Sequence, residues 1–148
     1  MRKTGKSQGD WEHLIAAARE ASEHAHAPYS RLRIGAALEA ERGAVYTGCN
    51  VENSSFGLTI CAERVALHCA VAHGSRKFKR LVIYTADAGP LSPCGACRQV
   101  LMEFVPRLPI LSIGRRGLRR EFELADLLPQ AFGWWLGRQS RPPWRQKA

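Results

Sequence analysis

Three cysteines and a glutamate stand in two short segments whose residue types and spacing point to metal chemistry. The segments are Cys61-Ala62-Glu63-Arg64 and Pro93-Cys94-Gly95-Ala96-Cys97, and each opens a predicted helix. A thiolate at a helix N-terminus lies near the positive end of the peptide dipoles, which lowers the pKa of its thiol. Three thiolates leave one position of a tetrahedral Zn2+ ion open, as hydrolytic zinc requires. Glu63 stands two residues from Cys61. There, its carboxylate can move the proton of a water molecule without being a ligand.

The negative charge of three thiolates needs an offset, because it makes the zinc ion a weaker activator of water. Arg64 follows Glu63 on the same predicted helix, so it can donate hydrogen bonds to the thiolate sulfurs. An arginine beside a glutamate is also common on exposed helix faces. Arg64 therefore has two possible roles at this point, support of the metal site or a surface ion pair.

A structural zinc site is the alternative interpretation of the same cysteines. A fourth ligand from Cys49, Cys69 or His68 would close the coordination shell, and the protein would then be a non-catalytic zinc-binding module. Cys69 lies eight residues after Cys61 on an apolar helix face, where it fits a small core residue better. The carboxylate of Glu63 favours the catalytic interpretation.

Hydrophobic periodicity and turn signals predict an alternation of helices and strands. Asp10 is predicted to cap the first helix, and Glu41-Arg42-Gly43 is typical of a hairpin turn. The predicted helices are 10–26, 62–73, 95–104 and the turn 124–128, and the predicted strands are 31–38, 44–49, 81–85, 109–113 and 118–122. This order predicts an α/β fold with one mixed sheet and helices on its faces. The cysteines then lie where loops enter helices, the usual place for sites in such sheets.

The length of 148 residues predicts one domain, residues 10–137, with basic and flexible tails at 1–9 and 138–148. The tails contain seven of the 22 basic residues and no acidic one, so the domain itself has 15 basic and 13 acidic residues. The net charge of +9 thus comes mostly from the tails, and no nucleic-acid partner is predicted. Two internal basic clusters, 76–80 and 115–120, are typical of solvated loops and strand ends.

The sequence predicts no membrane partner and a cytoplasmic location. No apolar run approaches the roughly 20 residues of a membrane span. The charged start of the chain has no apolar segment behind it, unlike a secretory signal. Five cysteines in such a chain fit metal binding and reduced thiols better than a disulfide framework.

The cysteine segments Cys61-Ala62-Glu63 and Pro93-Cys94-Gly95-Ala96-Cys97-Arg98-Gln99 resemble those of the short zinc-dependent cytidine deaminases. Zinc deaminases more widely have the same glutamate that is not a ligand. Further matching segments are 27–30, 34–38, 48–53 and 127–129, so the resemblance covers most of residues 11–133. It implies a cytidine-deaminase-like three-layer domain with helices on both faces of a mixed sheet. It also implies conversion of cytidine and deoxycytidine to uridine and deoxyuridine, in pyrimidine salvage.

The resemblance assigns the zinc chemistry to residues of the two motifs. Cys61, Cys94 and Cys97 would bind the zinc ion, and Glu63 would carry protons. Glu63 and the backbone N–H of Ala62 would also read the N3 and O2 edge of the pyrimidine.

The resemblance further implies how a small pyrimidine nucleoside is held. Asn50 and Glu52 would bind the ribose 3′-hydroxyl as a donor and an acceptor. The backbone carbonyl of Ser92 would accept a hydrogen bond from the 4-amino group. Phe132 would pack on the base in a neighbouring subunit's pocket, and relatives of this length are typically homotetramers.

Two positions depart from the family pattern. Leu32 stands where an aromatic side chain packs against the base, and Phe56 where tyrosine often offers a hydroxyl near the 5′ end of the ribose. Leucine is smaller than an aromatic ring, so we hypothesise tolerance of substituents at N4 or C5 of the pyrimidine. A neighbouring side chain that fills the gap is the equal alternative.

Deamination of a base in RNA or DNA is the second enzymatic interpretation of the zinc motif. Relatives with that activity usually have histidine where Cys61 stands, and they often have longer loops or basic grooves for a strand. The near-neutral charge of the domain does not favour this interpretation.

Overall fold

Residues 11–133 are described by the computed structural model of the chain. The helices are α1 (Glu12–Glu23), α2 (Ala62–Ala72), α3 (Gly95–Met102) and α4 (Leu124–Leu127), and the strands are β1 (Gly35–Ala40), β2 (Val45–Cys49), β3 (Phe78–Tyr84), β4 (Pro109–Ile113) and β5 (Arg119–Glu123). The predicted cap Asp10, the domain limits at 10 and 137 and both predicted tails lie outside the described residues. Within residues 11–133, no helix combines the length and apolar character that a bilayer crossing requires.

The five strands form one sheet in the order β2-β1-β3-β4-β5. β1 pairs antiparallel with β2 and β3, β3 pairs parallel with β4, and β5 is antiparallel to β4. The segment between the parallel strands contains α3, and parallel neighbours need a crossover of this kind. The prediction of one mixed sheet is confirmed.

Helices cover both faces of the sheet because adjacent residues of a strand point to opposite sides. In β1, Ala37 belongs to the buried cluster under α1, whereas Leu38 belongs to the cluster under α2 and α3. The smaller cluster contains Leu14, Ala18, Ala37, Val82, Leu111 and Ile113. The larger cluster includes Leu38, Leu67, Leu81, Leu101 and Ile110. The three-layer architecture expected from the resemblance is therefore confirmed.

Two glycines set how closely the helices approach the sheet. A Cβ atom at Gly48 on β2 would stand 2.5 Å from both the carbonyl oxygen of Ala62 and the backbone nitrogen of Ala66 in α2. A Cβ atom at Gly35 on β1 would stand 1.9 Å from the carbonyl oxygen of Ala18 in α1. Backbone atoms of these helices therefore rest directly on the sheet, and α2, which begins with the candidate site, has no room to shift inward.

The first helix ends at Glu23, earlier than the predicted end near His26. His26 instead pairs with the loop after β2, where its N–H donates to the carbonyl of Asn50 and its carbonyl accepts from the N–H of Glu52. The donor–acceptor distances are 3.0 and 2.8 Å. Long-range pairing thus overrides the helical periodicity of residues 24–26.

The second correction concerns the strand predicted over 31–38, which begins only at Gly35. Arg31 has a φ of 59°, a left-handed conformation that interrupts extended structure. The side chain of Asn50 bonds the backbone of Leu32 and Ile34 and so occupies groups that a strand partner would use.

The basic cluster at 76–80 is only partly solvated. β3 begins at Phe78 rather than 81, and Arg80 is 5% exposed beneath α1. Its guanidinium forms an ion pair with the buried Glu39 and lies 5.0 Å from the centre of the Trp11 ring. The expectation of a solvated strand end was wrong for Arg80, because the register of β1 and β3 places Glu39 opposite it.

Candidate zinc and catalytic site

Two helix N-termini carry the three cysteines of the candidate metal site. Cys61 is the N-cap residue of α2, Cys94 is the N-cap residue of α3, and Cys97 lies in the first turn of α3. The carbonyl of Cys61 accepts from the N–H of Arg64 at 3.1 Å, and that of Cys94 accepts from the N–H of Arg98 at 3.0 Å. The backbone N–H of Cys97 also donates to the sulfur of Cys94 at 3.4 Å. The predicted position of these thiols at helix starts is confirmed.

The three sulfur atoms converge although they come from different helices. All lie within 4.8 Å of one another, and the sulfurs of Cys61 and Cys94 are 3.7 Å apart. Sulfurs bound tetrahedrally to one zinc ion, with bonds of about 2.3 Å, stand about 3.8 Å apart. Within residues 11–133, no fourth histidine, cysteine or acidic side chain joins this group. The donor set therefore fits a zinc ion that keeps one coordination position for another molecule.

The environment of Cys61 favours a thiolate. A hydrogen bond from the thiol of Cys97 is the largest cause that lowers the pKa of Cys61, and Arg64 acts in the same direction against the effect of burial. The pKa of Cys97 is correspondingly raised, chiefly because its thiol donates to the sulfur of Cys61. A negative charge is therefore already favoured within the group, and cation binding requires such charge.

Arg64 contacts one of the three sulfurs. Its Nη2 atom lies 3.8 Å from the sulfur of Cys61 and donates to the carbonyl of Thr59 at 3.1 Å. Within the described residues, the buried Nε of Arg64 has no hydrogen-bond partner. The guanidinium thus faces the thiol group rather than an acidic side chain, as expected of a residue that offsets thiolate charge.

Glu63 lies in the first turn of α2 with 5% of its surface exposed. Burial raises the pKa of Glu63 to about 7, and the nearby charge of Cys61 acts in the same direction. Hydrogen bonds from its own backbone N–H and from Cys97 act the opposite way. A carboxyl group in this environment exchanges its proton near neutral pH, as a proton carrier must.

The side chain of Asn50 is buried and forms two hydrogen bonds with the backbone. Its Oδ1 accepts from the N–H of Ile34 and its Nδ2 donates to the carbonyl of Leu32, both at 2.8 Å. A side-chain amide has one further lone pair and one further N–H when two bonds are made. Asn50 therefore holds the segment that carries Leu32, and it keeps one donor and one acceptor for another molecule.

The carboxylate of Glu52 stabilises the turn at Tyr29 and Ser30 through hydrogen bonds. It accepts from the N–H of Tyr29 at 2.8 Å, from the N–H of Ser30 at 3.2 Å and from the Ser30 hydroxyl. These hydrogen bonds, chiefly that from the hydroxyl, hold the pKa of Glu52 below its usual range. The preceding Val51 pairs with Ile60, the residue before Cys61, so the loop with Asn50 and Glu52 lies beside the start of α2.

The remaining predicted site residues lie on the surface around these helix starts. Ala62 is buried in the first turn of α2, Leu32 is half-buried, and Ser92 is exposed two residues before Cys94. Phe56 is exposed and packs edge-on against Tyr29, with ring centroids 5.4 Å apart. Phe132 is 79% exposed, so its ring does not enter the core of its own chain.

Sequence reasoning left two residues of α3 without a role. Arg98 bonds the backbone before Cys94 and the end of α4, and Gln99 donates to the carbonyl of Phe132 at 2.7 Å. Position was the only signal available in the sequence, because both directly follow the last cysteine. The acceptors at Leu127 and Phe132 come from a segment that the spacing of the motif does not identify.

Known proteins share both the sequence and the fold around this site. Residues 9–112 match the family described as the cytidine and deoxycytidylate deaminase zinc-binding region. A cytidine deaminase from Sporosarcina psychrophila is 48% identical over 124 residues, which are 83% of this chain and 91% of that protein. The chain belongs to the cytidine deaminase family. The family expected from the cysteine motifs is therefore confirmed, together with its zinc-binding character.

Solved structures of cytidine deaminases agree with this assignment. The cytidine deaminase from Burkholderia pseudomallei has 45% identity and a TM-score of 0.78, over 86% of this chain and all of that one. The enzyme from Mycobacterium tuberculosis has 42% identity and a TM-score of 0.72, over 84% of this chain and 98% of that one. The enzyme from Bacillus anthracis, at 19% identity and a TM-score of 0.64, shares the fold.

Proposed function

We propose that this protein hydrolyses cytidine and deoxycytidine to uridine and deoxyuridine. The convergence of three cysteine sulfurs beside the buried carboxyl group of Glu63 carries this proposal. In the reaction, a water molecule adds to C4 of the pyrimidine, the bond from C4 to the amino nitrogen breaks, and ammonia leaves. The ring keeps an oxygen at C4, so no oxidant or reductant is needed.

Cys61, Cys94 and Cys97 hold the zinc ion in this proposal. When bound there, zinc acts as a Lewis acid that makes a water molecule more nucleophilic. Arg64 offsets part of the thiolate charge through its contact with Cys61. The exposed side of the site, where Cys94 lies, leaves the substrate a path to the metal.

Glu63 takes the proton of the attacking water and delivers it to the substrate. The same carboxyl group first accepts and then donates a proton, which requires a pKa near the working pH. N3 of the ring and the departing amino nitrogen are the two places where the substrate needs protons. The N–H of Ala62, in the same helical turn, supports the oxygen at C2 as a donor.

The nucleoside is held by loops around the two helix starts. Asn50 and Glu52 contact the ribose 3′-hydroxyl with the donor and acceptor capacity that their contacts with residues 29–34 leave free. Ser92 accepts from the 4-amino group through its carbonyl. Phe56 lies near the 5′ end of the ribose, and Leu32 near the base.

The active assembly in this proposal is a homotetramer. Exposed apolar side chains lie around the loop before α2. A patch of such side chains is typical of a surface that another subunit covers. These side chains are Tyr29, Val51, Phe56, Leu58 and Ile60. The ring of Phe132, which is turned away from its own core, packs on the base in a neighbouring subunit.

We also place the enzyme in the cytoplasm, in pyrimidine salvage. Within the described residues all five cysteines are free, and zinc binding needs three of them reduced. A reducing compartment keeps thiols in this state. The reaction returns the base of a preformed nucleoside to the uracil series, which is a salvage step by its chemistry.

The test measures zinc and ammonia in the same preparation. We expect one zinc ion per chain and ammonia release from cytidine and deoxycytidine, with little from free cytosine, which lacks the ribose. Single-stranded RNA and DNA that contain cytosine serve as competing substrates. A zinc-loaded protein that releases ammonia from no pyrimidine nucleoside contradicts the proposal, and release from the polynucleotides alone would indicate a base deaminase.

A further inference from the structure

The guanidinium group of Arg98 connects α3 with the segment before Cys94 and with the end of α4. Its Nε donates to the carbonyl of Pro93 at 2.8 Å, and its Nη2 donates to the hydroxyl of Ser92 at 3.2 Å. Its Nη1 donates to the carbonyl of Leu127, the last residue of α4, at 3.0 Å. Every nitrogen of the side chain therefore has its own acceptor.

These contacts hold the segment that leads to Cys94 on both sides of one peptide bond. The carbonyl of Ser92 belongs to the peptide between Ser92 and Pro93, and Arg98 bonds one oxygen atom in each of these residues. The ring of Pro93 fixes its φ, and the residue is buried. The N–H of Leu91 donates to the hydroxyl of Ser112 on β4 at 2.9 Å, which holds the other end of the segment.

All three acceptors of Arg98 are neutral, and within residues 11–133 the side chain forms no ion pair. An arginine in a stabilising surface network normally faces a carboxylate, whereas this one supplies a rigid planar set of donors. Lysine has three N–H donors on a single nitrogen atom, so it cannot reach three acceptors that lie beside three different guanidinium nitrogens.

We propose that Arg98 is a positioning residue that fixes the Ser92 carbonyl where it accepts a hydrogen bond from the 4-amino group of cytidine. The inference rests on the proposed function, because it concerns the amino group that the reaction removes. The hydrogen bonds of the Arg98 side chain go to Pro93, Ser92 and Leu127 and not to the cysteine sulfurs, so Arg98 acts through the segment that it holds. It sets the discrimination between the substrate, which has an N–H donor at C4, and the product, which has an oxygen there.

A merely structural role predicts a different pattern. If Arg98 only stabilised the fold, its loss would weaken the binding of cytidine and uridine equally. A carbonyl that is no longer held in place loses its bond to the amino group of cytidine. It also loses its repulsion toward the C4 oxygen of uridine. The ratio of the two dissociation constants therefore separates positioning from general stability.

The experiment measures equilibrium binding of cytidine and uridine in a Glu63→Gln background, which binds without rapid turnover. We expect Arg98→Ala to raise the Kd for cytidine roughly tenfold, as loss of one well-placed hydrogen bond predicts, and to leave the Kd for uridine unchanged or lower. Arg98→Lys should resemble Arg98→Ala. Arg107→Ala, which removes an exposed arginine after α3, is the matched control and should leave both constants unchanged.

Zinc content and melting temperature are measured for each variant. If Arg98→Ala does not fold, Ser92→Ala is measured instead, because it removes the hydroxyl acceptor of Arg98 and keeps the backbone carbonyl. We then expect the Kd for uridine divided by the Kd for cytidine to fall about two- to threefold. An unchanged ratio in the folded variants overturns the inference. If the unsubstituted protein deaminates no cytidine, the proposed function is wrong. That result is distinguishable from an unchanged ratio of dissociation constants, which contradicts only the role of Arg98.

Discussion

At the scale of single residues, the proposed reaction depends most directly on the carboxyl group of Glu63. It is buried in the first turn of α2, within two residues of Cys61, and burial raises its pKa to about 7. A glutamine has nearly the same shape and can still form hydrogen bonds, but it cannot carry a proton. Substitution at this position therefore separates proton transfer from the shape of the site.

We expect Glu63→Gln to reduce kcat for cytidine by about 10²–10⁴ or more, because general acid–base catalysis contributes on this scale. Zinc should remain bound, because the sulfur group contains no atom of Glu63. Single-turnover rates and zinc content are measured together. Glu20→Gln, on the exposed face of α1, is the control. Loss of zinc from Glu63→Gln would show that the carboxylate has a structural or ligand role.

Leu32 is the second residue with a specific expectation. Its backbone is fixed by Asn50 through the carbonyl and by the hydroxyl of Ser30 through the N–H, so the position of the side chain does not depend on its own packing. Phenylalanine can therefore replace it on the same backbone. The added ring would narrow the space beside the base and would contribute an aromatic contact of about 0.5–1.5 kcal/mol.

The comparison uses kcat/KM for cytidine and for N4-methylcytidine, with and without Leu32→Phe. We expect the substitution to raise kcat/KM for cytidine several-fold and to lower the relative value for the N4-substituted nucleoside. If the ratio between the two substrates does not change, a neighbouring side chain already fills the space and the hypothesis of substituent tolerance is wrong.

At the scale of helices and strands, two glycines determine how closely the helices pack on the sheet. Gly48 lies under the first turns of α2, which carry the candidate site, and Gly35 lies under α1 on the opposite face. An added methyl group would collide with helix backbone at either position, and backbone cannot rotate away as a side chain does. The two positions thus offer the same steric change with different consequences for the site.

We expect Gly48→Ala and Gly35→Ala each to reduce the free energy of unfolding by about 1–3 kcal/mol or more, as overpacking of a core does. Only Gly48→Ala should also lower the kcat/KM of the folded protein, because it displaces the helix with Cys61 and Glu63. Urea unfolding and steady-state kinetics are the measurements. Gly89→Ala, where a Cβ atom meets nothing within 4 Å, is the control. Equal kinetic effects at Gly35 and Gly48 would contradict the assignment of the site to α2.

For the whole molecule, the exposed apolar surface predicts assembly. Leu58 is 66% exposed beside Phe56, and Leu118 is 59% exposed directly before β5, which is an edge strand of the sheet. Both are leucines in loops with similar exposure. The proposed homotetramer buries the surface around the loop before α2 and gives no role to Leu118.

We expect Leu58→Asp to reduce the mass in solution below that of a tetramer, measured by light scattering, and to raise the KM for cytidine. A charge buried in an interface is unfavourable unless it is paired. Leu118→Asp should leave both the mass and the KM unchanged. A tetramer that survives Leu58→Asp, or dissociates with Leu118→Asp, would locate the interface elsewhere.

The sequence was most informative where structure is local. The two helix starts with their thiols, the glutamate beside them and the extents of β2 and β4 followed from periodicity and spacing within a few residues. The end of α1 at Glu23 did not, because residues 24–26 pair with the distant loop at Asn50. Arg80 was expected at a solvated strand end, and the pairing of β1 with β3 buries it against Glu39.

By itself the sequence determined the type of chemistry, because three thiols at two helix starts and an adjacent carboxylate have few other uses. Tertiary structure alone decided that Cys61 and Cys94, 33 residues apart, meet with sulfurs 3.7 Å from each other. It also gave Arg98 its acceptors, one of them 29 residues along the chain. The physical reason is that spacing sets contacts within one helix, whereas contacts between segments depend on how helices and strands pack over the sheet.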